Sequence, residues 1–149
     1  MTKLTVGSKA PAFNSVDEKG EKISLTDFKG KKLVLYFYPK DDTSICTAEA
    51  CDLRDNYKMF KKQGYEILGV SPDGSKSHQK FIAKHELPFS LLADENHSVA
   101  EAYGVWGEKS MYGKKYNGIL RTTFVIDEKG VIEKIIEKVD TKNHTTQIL

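Results

Sequence analysis

Cys46 and Cys51 are the only two thiols in the chain, and one stretch carries both: Thr43-Ser44-Ile45-Cys46-Thr47-Ala48-Glu49-Ala50-Cys51. It follows an apolar run, Leu33-Val34-Leu35-Tyr36-Phe37-Tyr38, closed by Pro39. A thiol at a strand-to-helix junction can be held as a thiolate, because unpaired N–H groups and the helix dipole favour negative charge there. Three readings of the pair compete. Buried, inert thiols are common, but a place in the first turn of a helix argues against that role for Cys46. Metal binding needs more ligands than two thiols, and the four histidines (His78, His85, His97, His144) are isolated, so no metal site is expected. The third reading is a redox pair.

That reading makes a geometric demand. Residues five apart in an unbroken helix are separated by about 7.5 Å of rise and about 140° of rotation. Their Cα atoms then lie roughly 8–9 Å apart, beyond the approximate 7 Å limit for a disulfide. If Cys46 and Cys51 pair, the first turns of the helix must unwind.

The neighbours bear on activation of Cys46. Thr43 stands one turn earlier, where its hydroxyl can cap the helix and face a substrate beside the sulfur. Pro39 ends the strand without an N–H and can shape a dry pocket wall. A free thiol has a pKa of about 8.5, so a cation is needed to hold a thiolate near neutrality. Lys40 is close in sequence but expected in solvent. Of the two arginines, Arg54 reads as a surface residue on the same helix. Arg121 sits in an apolar, Thr-rich stretch, Ile119-Leu120-Arg121-Thr122-Thr123-Phe124-Val125-Ile126, and there needs an anionic partner. Either the Cys46 thiolate or Glu49 could supply it.

The elements that would position these groups follow from periodicity and turn residues. Residues 11 to 25 read as an N-terminal hairpin around Asp17-Glu18-Lys19-Gly20, and 33 to 38 as a strand covered on both faces. One helix is expected from Thr43 to Gln63, stopped by Gly64, with Ala50, Leu53, Tyr57 and Phe60 as its buried stripe. A strand follows at 65 to 70, a helix at 75 to 85, a short strand at 88 to 92 and a helix at 96 to 103. Residues 105 to 118, with Trp106, Tyr112 and Tyr116, read as an ordered loop. Strands at 119 to 126 and 131 to 139 flank the turn Asp127-Glu128-Lys129-Gly130, and the tail from Thr141 starts a last helix. This order describes one α/β domain over 1–149: a thioredoxin-like fold with a central mixed β-sheet flanked by helices and an N-terminal β-hairpin. Sites in open α/β sheets gather at the carboxyl ends of the strands, where Pro39 to Cys46 falls.

Composition narrows the class. The 149 residues are 39% hydrophobic and 30% charged with a net charge of +2, and the lysines are dispersed among acids. That excludes a concentrated basic face, so nucleic-acid binding is not expected. No apolar run reaches membrane-spanning length, and the N-terminus shows no signal-peptide pattern, so a cytoplasmic protein is expected. A standing structural disulfide would be reduced there.

Pro39-x-x-x-Thr43-x-x-Cys46 resembles the peroxiredoxin active-site motif, and Cys51 resembles the second cysteine of the bacterioferritin-comigratory, or Q, subfamily. The resemblance extends to Gly69-Val70-Ser71, Leu87-Pro88-Phe89, Gly104-Val105-Trp106-Gly107 and Arg121-Thr122-Thr123-Phe124-Val125-Ile126-Asp127. The tail is short for the family's final helix. The resemblance implies an antioxidant thiol peroxidase acting on hydrogen peroxide and organic hydroperoxides, with no cofactor. Cys46 would be the peroxidatic cysteine, oxidised to a sulfenic acid, and Cys51 would resolve it as an intramolecular disulfide. Thioredoxin or a similar dithiol protein would reduce that bond. Thr43 and Arg121 would hold the peroxide, Pro39 would shield the sulfur, and Glu49 would orient Arg121. A monomer is adequate for this cycle.

Two other functions use the same cysteines. A thiol–disulfide exchanger would favour Cys-x-x-Cys, whereas this chain has Thr43-x-x-Cys46. A non-catalytic redox sensor passing its disulfide to a partner is a third reading, behind the peroxidase, because the same two cysteines would serve it.

Overall fold

A computed structural model describes residues 2–149. Its centre is a five-stranded sheet made of β3 (Lys32–Phe37), β4 (Tyr65–Ser71), β5 (Ser90–Ala93), β8 (Thr122–Ile126) and β9 (Ile132–Ile136), in the order β5-β4-β3-β8-β9. β3, β4 and β5 run parallel, while β8 and β9 join antiparallel. The N-terminal hairpin is present as β1 (Asn14–Val16) and β2 (Lys22–Ser24). The result is the expected thioredoxin-like arrangement.

Both faces of β3 are covered, which is why its sequence is apolar without alternation. Leu33, Leu35 and Phe37 pack on one side with Leu68, Val70, Tyr103 and Phe124. Val34, Tyr36 and Tyr38 pack on the other with Cys46, Ala50, Leu53, Phe60 and Phe81. Helices α1 (Ser44–Asp55), α2 (Tyr57–Lys62), α3 (Ser75–His85) and α5 (His144–Ile148) contribute to that second face, and α4 (Ser98–Ala102) to the first. Each fully buried Leu or Phe contributes about 1.5–3 kcal/mol of burial free energy. Gly69 is required by packing: a Cβ there would lie 2.8 Å from Cζ of Tyr36 and 2.7 Å from Cδ2 of Leu91. No helix is long and apolar enough to cross a membrane among the described residues.

Three expectations need correction. The single helix over 43–63 is two, because Asn56 leaves helical geometry (φ −110°, ψ 11°) and its side-chain amide donates to the Asp52 carbonyl at 2.8 Å. Asparagine competes for backbone groups in this way, and an absence of Gly and Pro does not guarantee continuity. The loop at 105–118 is a hairpin, β6 (Trp106–Met111) with β7 (Lys114–Ile119). Its turn residues Tyr112 and Gly113 both have positive φ, as a two-residue hairpin connection requires. The ribbon stands apart from the main sheet and is largely solvent-facing, so its strands carry no apolar alternation. Finally, Arg121 is not inside a strand. Leu120 and Arg121 form the link between β7 and β8.

Candidate active site

The ladder between β3 and β8 ends at Phe37 opposite Thr122, so the next step places Arg121 beside Tyr38 at the carboxyl end of β3. Pro39 and the turn 40–43 leave from that same end and deliver α1. Sheet register thus brings Arg121 to the first turn of the cysteine helix across 75 residues of sequence.

The guanidinium divides its fork. Nη2 donates to Cys46 Sγ at 3.1 Å, and Nη1 donates to Glu49 Oε1 at 2.6 Å. Both partners suggested for Arg121 are therefore engaged. Cys46 and Glu49 are three residues apart, so one helix face presents the sulfur and the carboxylate together. Cys46 is 2% exposed, Glu49 is fully buried, and the Arg121 side chain is 19% exposed. Burial disfavours the Arg121 charge, yet Glu49 and the Cys46 sulfur outweigh it and raise the arginine above its ordinary value. Burial dominates at Glu49, lifting its carboxyl to about 7 against the opposing pull of Arg121.

Behind this face lies a layer that the sequence did not announce. His144 of α5 is buried, with Nε2 2.7 Å from Thr123 Oγ1 and Nδ1 2.8 Å from Gln147 Oε1. Nε2 also stands 3.6 Å from Glu49 Oε2, and that oxygen makes no hydrogen bond among the described residues. Burial pushes the His144 imidazole below its ordinary value. Next to it, Asp52 Oδ2 accepts from the Thr145 amide at 2.7 Å and the Thr145 hydroxyl at 2.8 Å, tying α5 to α1. On the other side, Lys109 of β6 is half-buried, and burial, followed by the positive charge of Arg121, lowers it below its ordinary value.

Thr43 is the residue before α1, but its hydroxyl does not cap the helix. It donates to the Lys40 carbonyl at 3.0 Å, so its proton is committed and its lone pairs are left to accept. Pro39 is half-buried at the strand end and Lys40 is exposed. Arg54 is bound to Asp55 and to the His85 carbonyl, away from the sulfur pair. Cys51 is half-buried on the same unbroken helix as Cys46, and both thiols are free. No group of three or more potential metal-ligating side chains occurs among the described residues. Asp94 acts as a cap, accepting from the Val99 and Ala100 amides.

Comparison with known proteins gives a consistent picture. The family model described as the AhpC/TSA family matches residues 6–135. The peroxiredoxin Bcp of Bacillus subtilis is 48% identical over 146 residues, covering 98% of this chain and 93% of its own. That of Escherichia coli K12 is 46% identical over 149 residues, covering 100% and 96%. Among solved structures, the bacterioferritin comigratory protein of Xanthomonas campestris, from work concerned with its alkyl peroxide reduction activity, is 35% identical with a TM-score of 0.86. That match covers 99% of this chain and 94% of the other.

Proposed function

The chain belongs to the AhpC/TSA family and sides with its peroxiredoxin Bcp and Q members, and from that premise we propose a dithiol-dependent peroxidase in which Cys46 attacks the peroxide. The observation that carries this reading is the guanidinium of Arg121 held 3.1 Å from Cys46 Sγ. A fixed cation at hydrogen-bond distance favours the thiolate, the nucleophilic form of cysteine.

In the first step the Cys46 thiolate attacks one peroxide oxygen. The S–O bond forms, the O–O bond breaks, and the leaving oxygen takes a proton to depart as water or an alcohol. Arg121 is placed to steady the developing charge. Thr43 Oγ1, its own proton engaged by Lys40, accepts a hydrogen bond from the peroxide O–H and so fixes which oxygen faces the sulfur. Pro39 shields the sulfur from water.

In the second step the Cys51 thiol attacks the Cys46 sulfenic acid, forming the disulfide and releasing water. Both residues lie on α1 five positions apart, a separation that intact helix does not allow a disulfide to bridge. Cys46 is also buried against the sheet. Unwinding of the first turns therefore belongs to the cycle. A dithiol protein such as thioredoxin then reduces the exposed disulfide by exchange. Organic hydroperoxides join hydrogen peroxide as substrates, supported by the activity named for the Xanthomonas relative. Both thiols reside in one chain, so a cytoplasmic monomer suffices.

Intact-mass analysis after one equivalent of peroxide tests the scheme. The expected result is loss of two hydrogens, mapped to linked Cys46 and Cys51 peptides. Persistent oxygen addition without a linkage, or no change, would overturn it.

A further inference from the structure

A second buried polar cluster lies behind the catalytic turn and has no part in the chemistry above. Tyr38 is buried, and its phenol donates to Asp41 Oδ1 at 2.5 Å. Asp41 Oδ2 accepts from Ser77 Oγ at 2.8 Å and lies 2.7 Å from His78 Nδ1. The opposite ring nitrogen of His78 faces the Leu92 carbonyl at 3.0 Å, and the imidazole is fully buried. The Asp41 main chain is fixed as well, its N–H donating to Asp73 Oδ2 at 2.7 Å. Asp73 Oδ2 accepts in addition from Ser71 Oγ at 2.8 Å.

The next residue adds to the anchorage. Asp42 has a left-handed backbone (φ 60°), which few residues other than glycine, asparagine and aspartate adopt. Its carboxylate is held by Lys84 Nζ at 2.8 Å and His85 Nε2 at 3.0 Å. Two successive aspartates thus pin the turn 40–43 to α3. Thr43 and the first amides of α1 follow immediately.

We propose that Asp41, held by His78, is a positioning residue for the peroxide pocket: the Asp41–His78 contact sets the 40–43 turn so that Thr43 Oγ1 stands in register with the Cys46 sulfur. This rests on the assignment of Cys46 as the peroxide-reacting thiol. Arg121 reaches the sulfur from the β7–β8 link, and although the turn leads into α1, Cys46 itself is held by its burial in the core against β3. Loss of the contact should therefore harm the grip on peroxide while sparing the nucleophile.

The test compares two reactions of Cys46 in Asp41→Asn, His78→Asn and His78→Gln. Hydrogen peroxide must be oriented by Thr43, whereas iodoacetamide needs only a reactive sulfur. Asparagine places its amide nitrogen where Nδ1 stands and keeps the Asp41 contact; glutamine mimics Nε2 and loses it. Asp41→Asn and His78→Gln should lower the second-order rate with peroxide about tenfold or more, with alkylation changed less than about twofold. His78→Asn should keep the peroxide rate within about threefold. A parent protein that does not react with peroxide would overturn the peroxidase reading. A reactive parent whose variants lose both rates together, lose neither, or show no difference between the two His78 replacements would overturn the positioning role.

Discussion

Glu49 lies between the two cysteines on α1, and its Oε1 holds Arg121 Nη1 at 2.6 Å. The carboxylate that steadies the arginine thus rides on the segment that must unwind for Cys46 to meet Cys51. In the proposed cycle, closing the disulfide takes Glu49 out of its buried site and off Arg121 together.

Glu49 therefore makes the unwinding depend on pH. Its carboxyl is raised from 4.5 to about 7, burial and Asp52 pushing up and Arg121 pulling down. His144 and Tyr36 also face the cluster, one kept below and the other well above its ordinary value by burial. The folded value exceeds the unfolded one, so stabilisation of intact α1 is complete below about 4.5 and fades as pH rises through about 7. The span corresponds to an effect on the order of 3 kcal/mol. Hydrogen-exchange protection of the Cys46–Cys51 amides, corrected for intrinsic exchange, should fall between about pH 5 and 8 in the reduced protein. Glu49→Gln should flatten the profile, and an identical slope in that variant would reject the linkage.

The divided fork of Arg121 makes lysine a poor substitute. One ammonium cannot reach the sulfur and the carboxylate as two arms of a plane do. Arg121→Lys and Arg121→Ala should both slow iodoacetamide alkylation of Cys46 at neutral pH, by about tenfold or more. Arg121→Ala also leaves Glu49 buried without its partner, at a cost of about 3 kcal/mol in denaturant unfolding. An alkylation rate equal to that of the parent would remove Arg121 from the site.

The two thiols should fail differently. Cys46→Ser is expected to lose peroxide consumption by at least about a thousandfold, since no other thiolate is placed beside the arginine. Cys51→Ser should react once and then accumulate sulfenic or more oxidised sulfur instead of turning over. Stopped-flow oxidation followed by mass analysis distinguishes them. Sustained turnover of Cys46→Ser with a dithiol reductant would reject the assignment.

The tie between α1 and α5 should act as a brake. The Asp52 carboxylate accepts two hydrogen bonds from Thr145, and Asp52→Ala removes both, leaving the hydroxyl only the Asp52 carbonyl at 3.4 Å. The expected loss is about 2 kcal/mol, or about 4–8 °C in Tm. Disulfide formation after a peroxide pulse should nonetheless be faster, because α1 is held less firmly. Slower or unchanged disulfide formation would mean that α5 does not restrain the helix.

Much of the frame was legible because its signals are local. The unbroken apolar run of β3 marked a doubly covered strand, and Ser75 to His85 showed the bounds of α3 directly. The sulfur, the carboxylate and the threonine share one short segment, and an arginine among apolar residues stood out as needing an anion. What stayed hidden depends on distant chain. Asp41 and His78 are 37 residues apart, and Thr123 and His144 are 21 apart. Neither pair has a local signature. Lys109 was invisible because the ribbon that carries it buries too little to impose a hydrophobic period.

The place of Glu49 also explains the spacing of the thiols. Position 49 is where the second cysteine of a Cys-x-x-Cys pair beginning at Cys46 would fall. Here that position holds the carboxylate on which Arg121 is mounted. A close dithiol and a braced guanidinium thus exclude one another on this turn of helix. The second sulfur has to stand farther along, and the helix has to open before the pair can close.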